Sequence, residues 1–286
     1  MSFATVLHES WTLFKTKKMG LIGLTIISTF MVIAIVAPYV APYNPFVSDA
    51  SALYAPPSMQ HFLGTNDAGE DVFSELLYAA KISLIVGFTA AFVSTCLGLL
   101  VGMLSGYYGG KLDAVVMRVT DIFLTLPTIV LLIVLVAYIG PGLQNIIFAI
   151  SILGWTGTAR SIRSQVMSMK ERPYVEASHA IGASNFTIMF GEILPNIMPL
   201  VLANGILAVV GAILSEAGLS FLGLGDPTQK SWGEMLYYAE TRGAFINGAW
   251  WWIAAPGICI VLVALGFTLV GQALDEVFNP RVRTMR

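Results

Sequence analysis

The chain has 286 residues and a formal net charge of −2, with 56% hydrophobic residues and only 11% charged ones. Soluble domains carry about 25% charged residues, so this composition, with a mean hydropathy of +0.78, excludes an ordinary water-soluble protein. What remains is an integral membrane protein, and apolar runs long enough for helical spans make an all-α one the expectation.

Taken in chain order, residues 3–14 place Phe3, Leu7, Trp11 and Phe14 on one helical face ahead of Lys15, Lys17 and Lys18. That pattern suits a cytoplasmic helix lying in the membrane interface, spanning 1–18. The apolar run 19–40 is too long for a signal-peptide core and lacks an A-x-A cleavage site, so it reads as an uncleaved first span. An outer loop, 41–75, follows, punctuated by Pro42, Pro45, Pro56 and Pro57, with His61 expected as a solvated loop histidine.

A helical span needs about 20 apolar residues. Five further runs approach this: 77–105, 115–139, 143–159, 196–216 and 250–272, the third being short and interrupted by Gly154 and Gly157. Six transmembrane helices are therefore expected. Gly98, Gly102 and Gly106 form a small-xxx-small row that lets another helix approach closely. Gly109-Gly110-Lys111 reads as a tight turn. Arg118 and Asp121 stand three apart at the start of the run that contains Pro127. They form either a local ion pair or, since intramembrane charge faces a bundle interior, a gate or path contact.

Between the fourth and fifth runs, residues 171–199 carry both charge and helix punctuation. Pro173 suits a first helical turn, Glu176 the positive helix end, Gly182 a left-handed stop and Ser184 an N-cap. Two short helices with a glycine elbow are expected, closed by Pro195. Glu216, at the end of the next run, either lines a path or pairs with a neighbouring span. In the outer loop 217–249, Ser231 and Glu234 read as a capping box. Tyr237, Tyr238 and Trp250–Trp252 read as an interfacial aromatic belt. Cys96 and Cys259 lie inside apolar runs and read as packing residues.

With the N-terminus in the cytoplasm, twelve cationic residues fall on the inner side: Lys15, Lys17, Lys18, Lys111, Arg118, Arg160, Arg163, Lys170, Arg172, Arg281, Arg283 and Arg286. Only three, Lys81, Lys230 and Arg242, fall outside. The bias of cationic residues then puts both termini, the tail 273–286 and the Glu176 loop in the cytoplasm. No Ser/His/Asp set, Cys/His cluster or H-E-x-x-H helix is present, and Glu176 with His179 lacks a third metal ligand. Gly223-x-Gly225 is not a phosphate loop and no G-x-x-x-x-G-K-[ST] occurs, so neither a catalytic site nor nucleotide binding is expected.

Glu176-Ala177-Ser178, Gly182 and Leu194-Pro195 resemble the EAA loop of ABC-importer permeases: E-A-A, three residues, G, nine residues, I, one residue, L-P. Ser178 stands for an alanine of that consensus and Glu192 for its isoleucine. His61 to Asp71 is similar to the H-x-L-G-T-D-x-x-G-R-D segment of C-type permeases of peptide and nickel importers, with Asn66 and Glu70 replacing aspartate and arginine. Gly154 to Arg160, then Arg163 to Val166, look like the W-T-G-Y-A-R and R-x-Q-V segments of the same family. Glu216 to Gly225, then Ser231 to Leu236, resemble its E-A-x-L-S-F-L-G-L-G and S-W-G-x-M-L signatures.

The resemblance implies a type I ABC-importer permease fold with six transmembrane helices, a core over 76–272 and a cytoplasmic coupling helix. The loop 171–195 would then dock on a cytoplasmic ATPase, with Glu176, Ala177, Ser178, Gly182, Leu194 and Pro195 as the ATPase-coupling residues. Implied partners are a second permease in a heterodimer, two cytoplasmic ATPase subunits, an extracytoplasmic substrate-binding protein and membrane lipid. ATP and Mg belong to the partner ATPases; no cofactor, metal or nucleic acid is expected on this chain. Di- or oligopeptides are the implied substrates, with nickel, glutathione and oligosaccharides as alternatives. The reading from a different class is an ion-gradient-driven secondary transporter with Asp121 and Glu216 as coupling sites. That class favours paired ionisable residues at mid-membrane and inverted repeats, and neither is evident here.

Overall fold

The computed structural model describes residues 12–278, and helices dominate them. The interfacial helix expected over 3–14 lies almost wholly outside that range, as do Arg281, Arg283 and Arg286 of the tail. The helices, in order, are α1 (Lys18–Val40), α2 (Val72–Tyr108), α3 (Gly110–Thr125), α4 (Thr128–Ile139), α5 (Leu143–Lys170) and α6 (Pro173–Ala180). Then come α7 (Asn185–Leu224), which includes two π-helical stretches, α8 (Trp232–Thr241) and α9 (Trp250–Phe278).

Four of these, α1, α2, α7 and α9, are long and apolar enough to cross a membrane. The run 115–139 is not one straight span: α3 and α4 meet at a bend of 91°. The cause is Pro127, which has no N–H to continue the ladder and forces Leu126 into extended backbone at φ −91°, ψ 140°. Counted as one bent element, the pair brings the total to five. α5, with 28 residues, is long enough, but its polar C-terminal half, with Arg160, Arg163 and Lys170, keeps it outside the apolar set. Six simple spans were expected; length and composition yield four, or five with the bent pair.

α2 is the axis of the fold. Its 37 residues span about 55 Å at 1.5 Å per residue, so it extends well past the hydrocarbon core at its ends. It packs along α5 and α7 and also meets α1. The expected glycine row makes the α5 contact: a Cβ on Gly98 would lie 2.7 Å from the Thr158 Cβ, on Gly102 2.6 Å from the Ala159 carbonyl oxygen and on Gly106 2.8 Å from the Arg163 carbonyl oxygen. Close backbone approach of this kind drives helix association where lipid supplies no hydrophobic force. α9 packs on α1 and α7, and the Lys17–Glu276 ion pair at 2.6 Å joins the beginning of α1 to the end of α9.

Asp121 does not pair with Arg118 as a neighbour on its own helix. It bonds Arg160 of α5, in a pair whose side chains are about half exposed. One turn before Arg118 lies a contact that the sequence did not indicate: Asp113 receives hydrogen bonds from Ser105 of α2 and from Arg163 of α5, tying three helices together. The expected aromatic belt is also revised. Trp250 is exposed, but Trp251 and Trp252 are buried, and Trp251 donates its Nε1–H to the Thr65 carbonyl at 3.2 Å.

Candidate functional site

The Glu176 loop begins as the sequence dictates. Pro173 occupies the first turn of α6 and Glu176 lies in that turn, near the positive end of the helix dipole. The helix stops in a Schellman turn: the Ala183 N–H bonds the Ser178 carbonyl and the Gly182 N–H the His179 carbonyl, both at 3.0 Å. Gly182 has φ +81°, which a residue without a Cβ adopts at little cost. Ser184 then caps the next helix, its Oγ accepting the Thr187 N–H at 3.1 Å.

The second arm departs from expectation. It is not a short helix closed by Pro195 but the start of α7, which stays helical through Pro195 into the next span. A π-helical stretch, Ile188–Ile193, precedes the proline; its wider turn accommodates the missing N–H and the ring that would otherwise press on the preceding turn.

α6 is held by few contacts. Val175 is fully buried, in a cluster with Met103, Ile162, Ile188 and Ile193. The Tyr107 hydroxyl, at the end of α2, donates to Asn185 Oδ1 at 2.9 Å and lies 3.3 Å from His179 Nε2. The third tether joins the two departures from the family consensus: the Ser178 hydroxyl donates to the Glu192 carboxylate. Glu176, Ala177, Gly182 and Pro195 are exposed, while Ser178 and Leu194 are half-buried. Around them stands an apolar surface that the sequence did not single out, with Ile181 85% and Phe186 67% exposed. The available signal was an isoleucine in the polar elbow between two helix caps.

At the opposite end of α2, a network gathers residues from the loop 41–71, α2 and the segment that leads into α8. Lys230 bonds Glu70 at 2.8 Å and Glu75 at 2.6 Å. Asn66 donates to Glu70 at 2.8 Å, so the other pair of consensus departures is also in contact. Burial works against ionisation of Glu70, but the Lys230 and Asn66 hydrogen bonds outweigh it and hold the carboxyl below its ordinary value. Burial likewise works against the Lys230 charge, and Glu75 and Glu70 more than restore it. His61 is not a solvated loop residue: its Nδ1 lies 2.9 Å from Asp71 Oδ1 and its ring packs on Tyr43.

Glu216 is 1% exposed and accepts hydrogen bonds from Ser220 at 2.8 Å and Ser231 at 2.7 Å, with Ser83 of α2 at 3.5 Å. It therefore faces the interior of the chain and joins α7 to the start of α8. Ser231 caps α8 through the Glu234 N–H at 3.2 Å. Glu234 lines a cavity beside Lys230, with its Oε2 packed against Gly225, and burial, then the Glu216 carboxyl, push it up to about 7. Asp121 and Glu216 are thus not brought together.

Comparison with known proteins agrees with this architecture. Residues 98–284 match the family described as binding-protein-dependent transport system inner membrane component, and residues 5–57 match the N-terminal transmembrane domain of oligopeptide transport permease C. A dipeptide transport system permease protein DppC of Alkalihalophilus pseudofirmus is 37% identical over 97% of this chain and 90% of its own length. The protein of the same name from Haemophilus influenzae is 36% identical over 98% and 96%, respectively. Among solved structures, an inward-facing MetNI methionine ABC transporter chain superposes with a TM-score of 0.58 at 20% identity, over 72% of this chain and 96% of that one. At that identity the likeness concerns the fold, which is that of a type I ABC-importer permease. With apolar spans, a matching fold and full-length relatives in agreement, the chain belongs to the family of binding-protein-dependent transport system inner-membrane components, multi-pass permeases of ABC importers.

Proposed function

We propose that this chain is one of two permease subunits of an ATP-driven importer of di- or oligopeptides. A binding protein delivers the peptide to the Lys230 end, outside the cell membrane, and two ATPase subunits dock on the Glu176 end in the cytoplasm. The permeases of the named relatives are dipeptide permeases, and the excess of lysine and arginine at the Glu176 end supports the orientation. ATP and Mg act on the ATPase subunits; this chain has no catalytic step of its own.

The observation that carries the reading is the form of α6: a short, exposed helix, stopped sharply by Gly182 and tethered by Val175, Tyr107 and Ser178 to the helices behind it. A lever has to be stiff, since a flexible one dissipates the movement it receives. Glu176, Ala177, Ser178, Gly182, Leu194 and Pro195 form the coupling surface, and the exposed Ile181 and Phe186 add its apolar contacts. Closure of the ATPases moves α6. Tyr107 passes that motion to α2, whose other end carries Glu75 and Ser83.

Affinity purification from detergent extract tests this. A second permease and two ATPase subunits should co-purify, and dipeptide-loaded binding protein should raise ATP turnover. A chain that purifies alone and moves substrate without ATP overturns the reading in favour of an ion-gradient transporter. Stimulation by a nickel-, glutathione- or oligosaccharide-loaded binding protein, and not by a peptide-loaded one, retains the importer and replaces its substrate.

A further inference from the structure

Beside Lys230 lies a cavity of about 360 Å³, walled by the loop 41–71, α2, α9, and α8 with the segment 227–230 before it. Four carboxyl groups border it, Asp67, Glu70, Glu75 and Glu234, against two cationic side chains, Lys230 and Arg242. Lys230 is already committed to Glu70 and Glu75, and Arg242 stands 3.7 Å from Asp67. Carboxyl groups therefore outnumber cationic side chains on this wall, and among the four only Glu234 has no lysine or arginine beside it.

Two buried polar atoms of residues on this wall have no hydrogen-bond partner among the described residues. Glu75 is 2% exposed and its Oε2 receives no hydrogen bond, Lys230 being held by Oε1. Trp252 is 1% exposed and its Nε1–H finds no acceptor. Its neighbour Trp251 meets the Thr65 carbonyl, so an indole in this region can be satisfied by backbone. Buried polar groups without partners are rare in folded proteins and call for an explanation. Here they are of opposite kinds, one acceptor and one donor, on one cavity. A bare metal ion would serve the carboxylate and leave the indole unmet. An anion would serve the indole and be repelled by the carboxylates.

We propose that this cavity binds the amino terminus of a peptide, its α-ammonium group donating to Glu75 Oε2 and Glu234 and its first carbonyl accepting from Trp252 Nε1–H. The proposal rests on the peptide reading above and deepens it. This chain gains a site of its own for the transported molecule, beside the loop that meets the binding protein. Selection there is for a free amino terminus, and side chains beyond the first residue are left unread.

The test uses the assembled importer in lipid nanodiscs without binding protein, titrated with L-alanyl-L-alanine and with its N-acetyl derivative. Saturable binding of the free dipeptide is expected, weakened about tenfold or more by acetylation, since a charged hydrogen-bonding group is lost. Trp252→Phe keeps the ring and removes only the unpartnered N–H. It should leave the thermal stability of the peptide-free complex unchanged or raised, and weaken the free dipeptide severalfold. Equal affinity for the two peptides, no saturable binding, or full affinity in Trp252→Phe overturns the proposal and leaves water as the occupant. The acetylation comparison needs no variant, so it decides even if Trp252→Phe does not fold. Peptide-stimulated ATP turnover with loaded binding protein, measured on the same preparation, reports on the import reading separately. Stimulation without amino-terminus-dependent binding sinks only the cavity.

Discussion

The two ends of α2 solve the same problem in opposite ways. At the Lys230 end, the departures Asn66 and Glu70 are in contact, are largely sealed from solvent, and are locked to Glu75 through one lysine. At the Glu176 end, Ser178 and Glu192 are also in contact, but on an exposed helix held by one buried valine and a few hydrogen bonds. In each case the two residues that differ from the resembled motif touch each other. The difference lies in what surrounds the pair. A buried ion network fixes one geometry and is costly to break, whereas the exposed helix that we propose meets an ATPase has few contacts behind it.

Breaking the buried network has the largest expected effect. Lys230→Met strands the Glu70 and Glu75 carboxyls and should cost about 3–5 kcal/mol, read as a large loss of thermal stability in detergent. Adding Glu75→Gln and Glu70→Gln should recover much of it; no recovery would mean that Lys230 acts through something other than charge. Next comes Gly102→Val, which forces α2 away from α5 at the Ala159 carbonyl and should cost about 1–3 kcal/mol by overpacking. If it is tolerated, the glycine row is not what sets this helix contact.

A smaller effect sharpens the comparison at the exposed end. Ser178→Ala removes the one hydrogen bond that the Glu192 carboxylate receives among the described residues and should cost about 1 kcal/mol, with weaker coupling of ATP turnover to loaded binding protein. Ser178→Ala with Glu192→Ile restores the consensus pair and should restore coupling. Additive losses in that double-mutant cycle would show that the two residues act independently.

The smallest effect is a difference between two pH values. The Glu234 carboxyl titrates at about 7 instead of 4.5, so the folded chain holds this proton more tightly than the unfolded one. Its contribution to stability therefore falls as pH rises from about 4.5 to about 7 and is level above. Glu234→Gln should raise the melting temperature more at pH 8 than at pH 5; an equal shift at both removes the carboxyl as the cause.

How much of this was legible in the sequence depends on the range of the interaction. The α6 start at Pro173, the stop at Gly182 and the cap at Ser184 are local, set by backbone angles and one or two neighbouring N–H groups, and each formed where expected. The glycine row also declared itself, because a spacing of four marks one helix face. Pro195 misled because its effect depends on the turn before it, and a π-helical stretch removed the reason to stop. The partners of Asp121 and Asp113 were hidden because Arg160 and Arg163 lie on another helix, 39 and 50 residues away. Trp251 and Trp252 looked like belt residues because amphipathic rings suit an interface; tertiary packing against the loop 41–71 buried them instead. The cavity had no sequence signature, since its wall joins four separate segments.

The central claim, that α6 is the lever on which an ATPase acts, is tested most directly by cross-linking. Ala177 is exposed on α6, and an Ala177→Cys chain carrying a short photoactivatable thiol reagent should capture an ATPase subunit in the purified complex. The yield should change when ATP is added with hydrolysis blocked. Capture of lipid alone, or an ATPase cross-link from the Lys230 end in place of this one, would contradict the account.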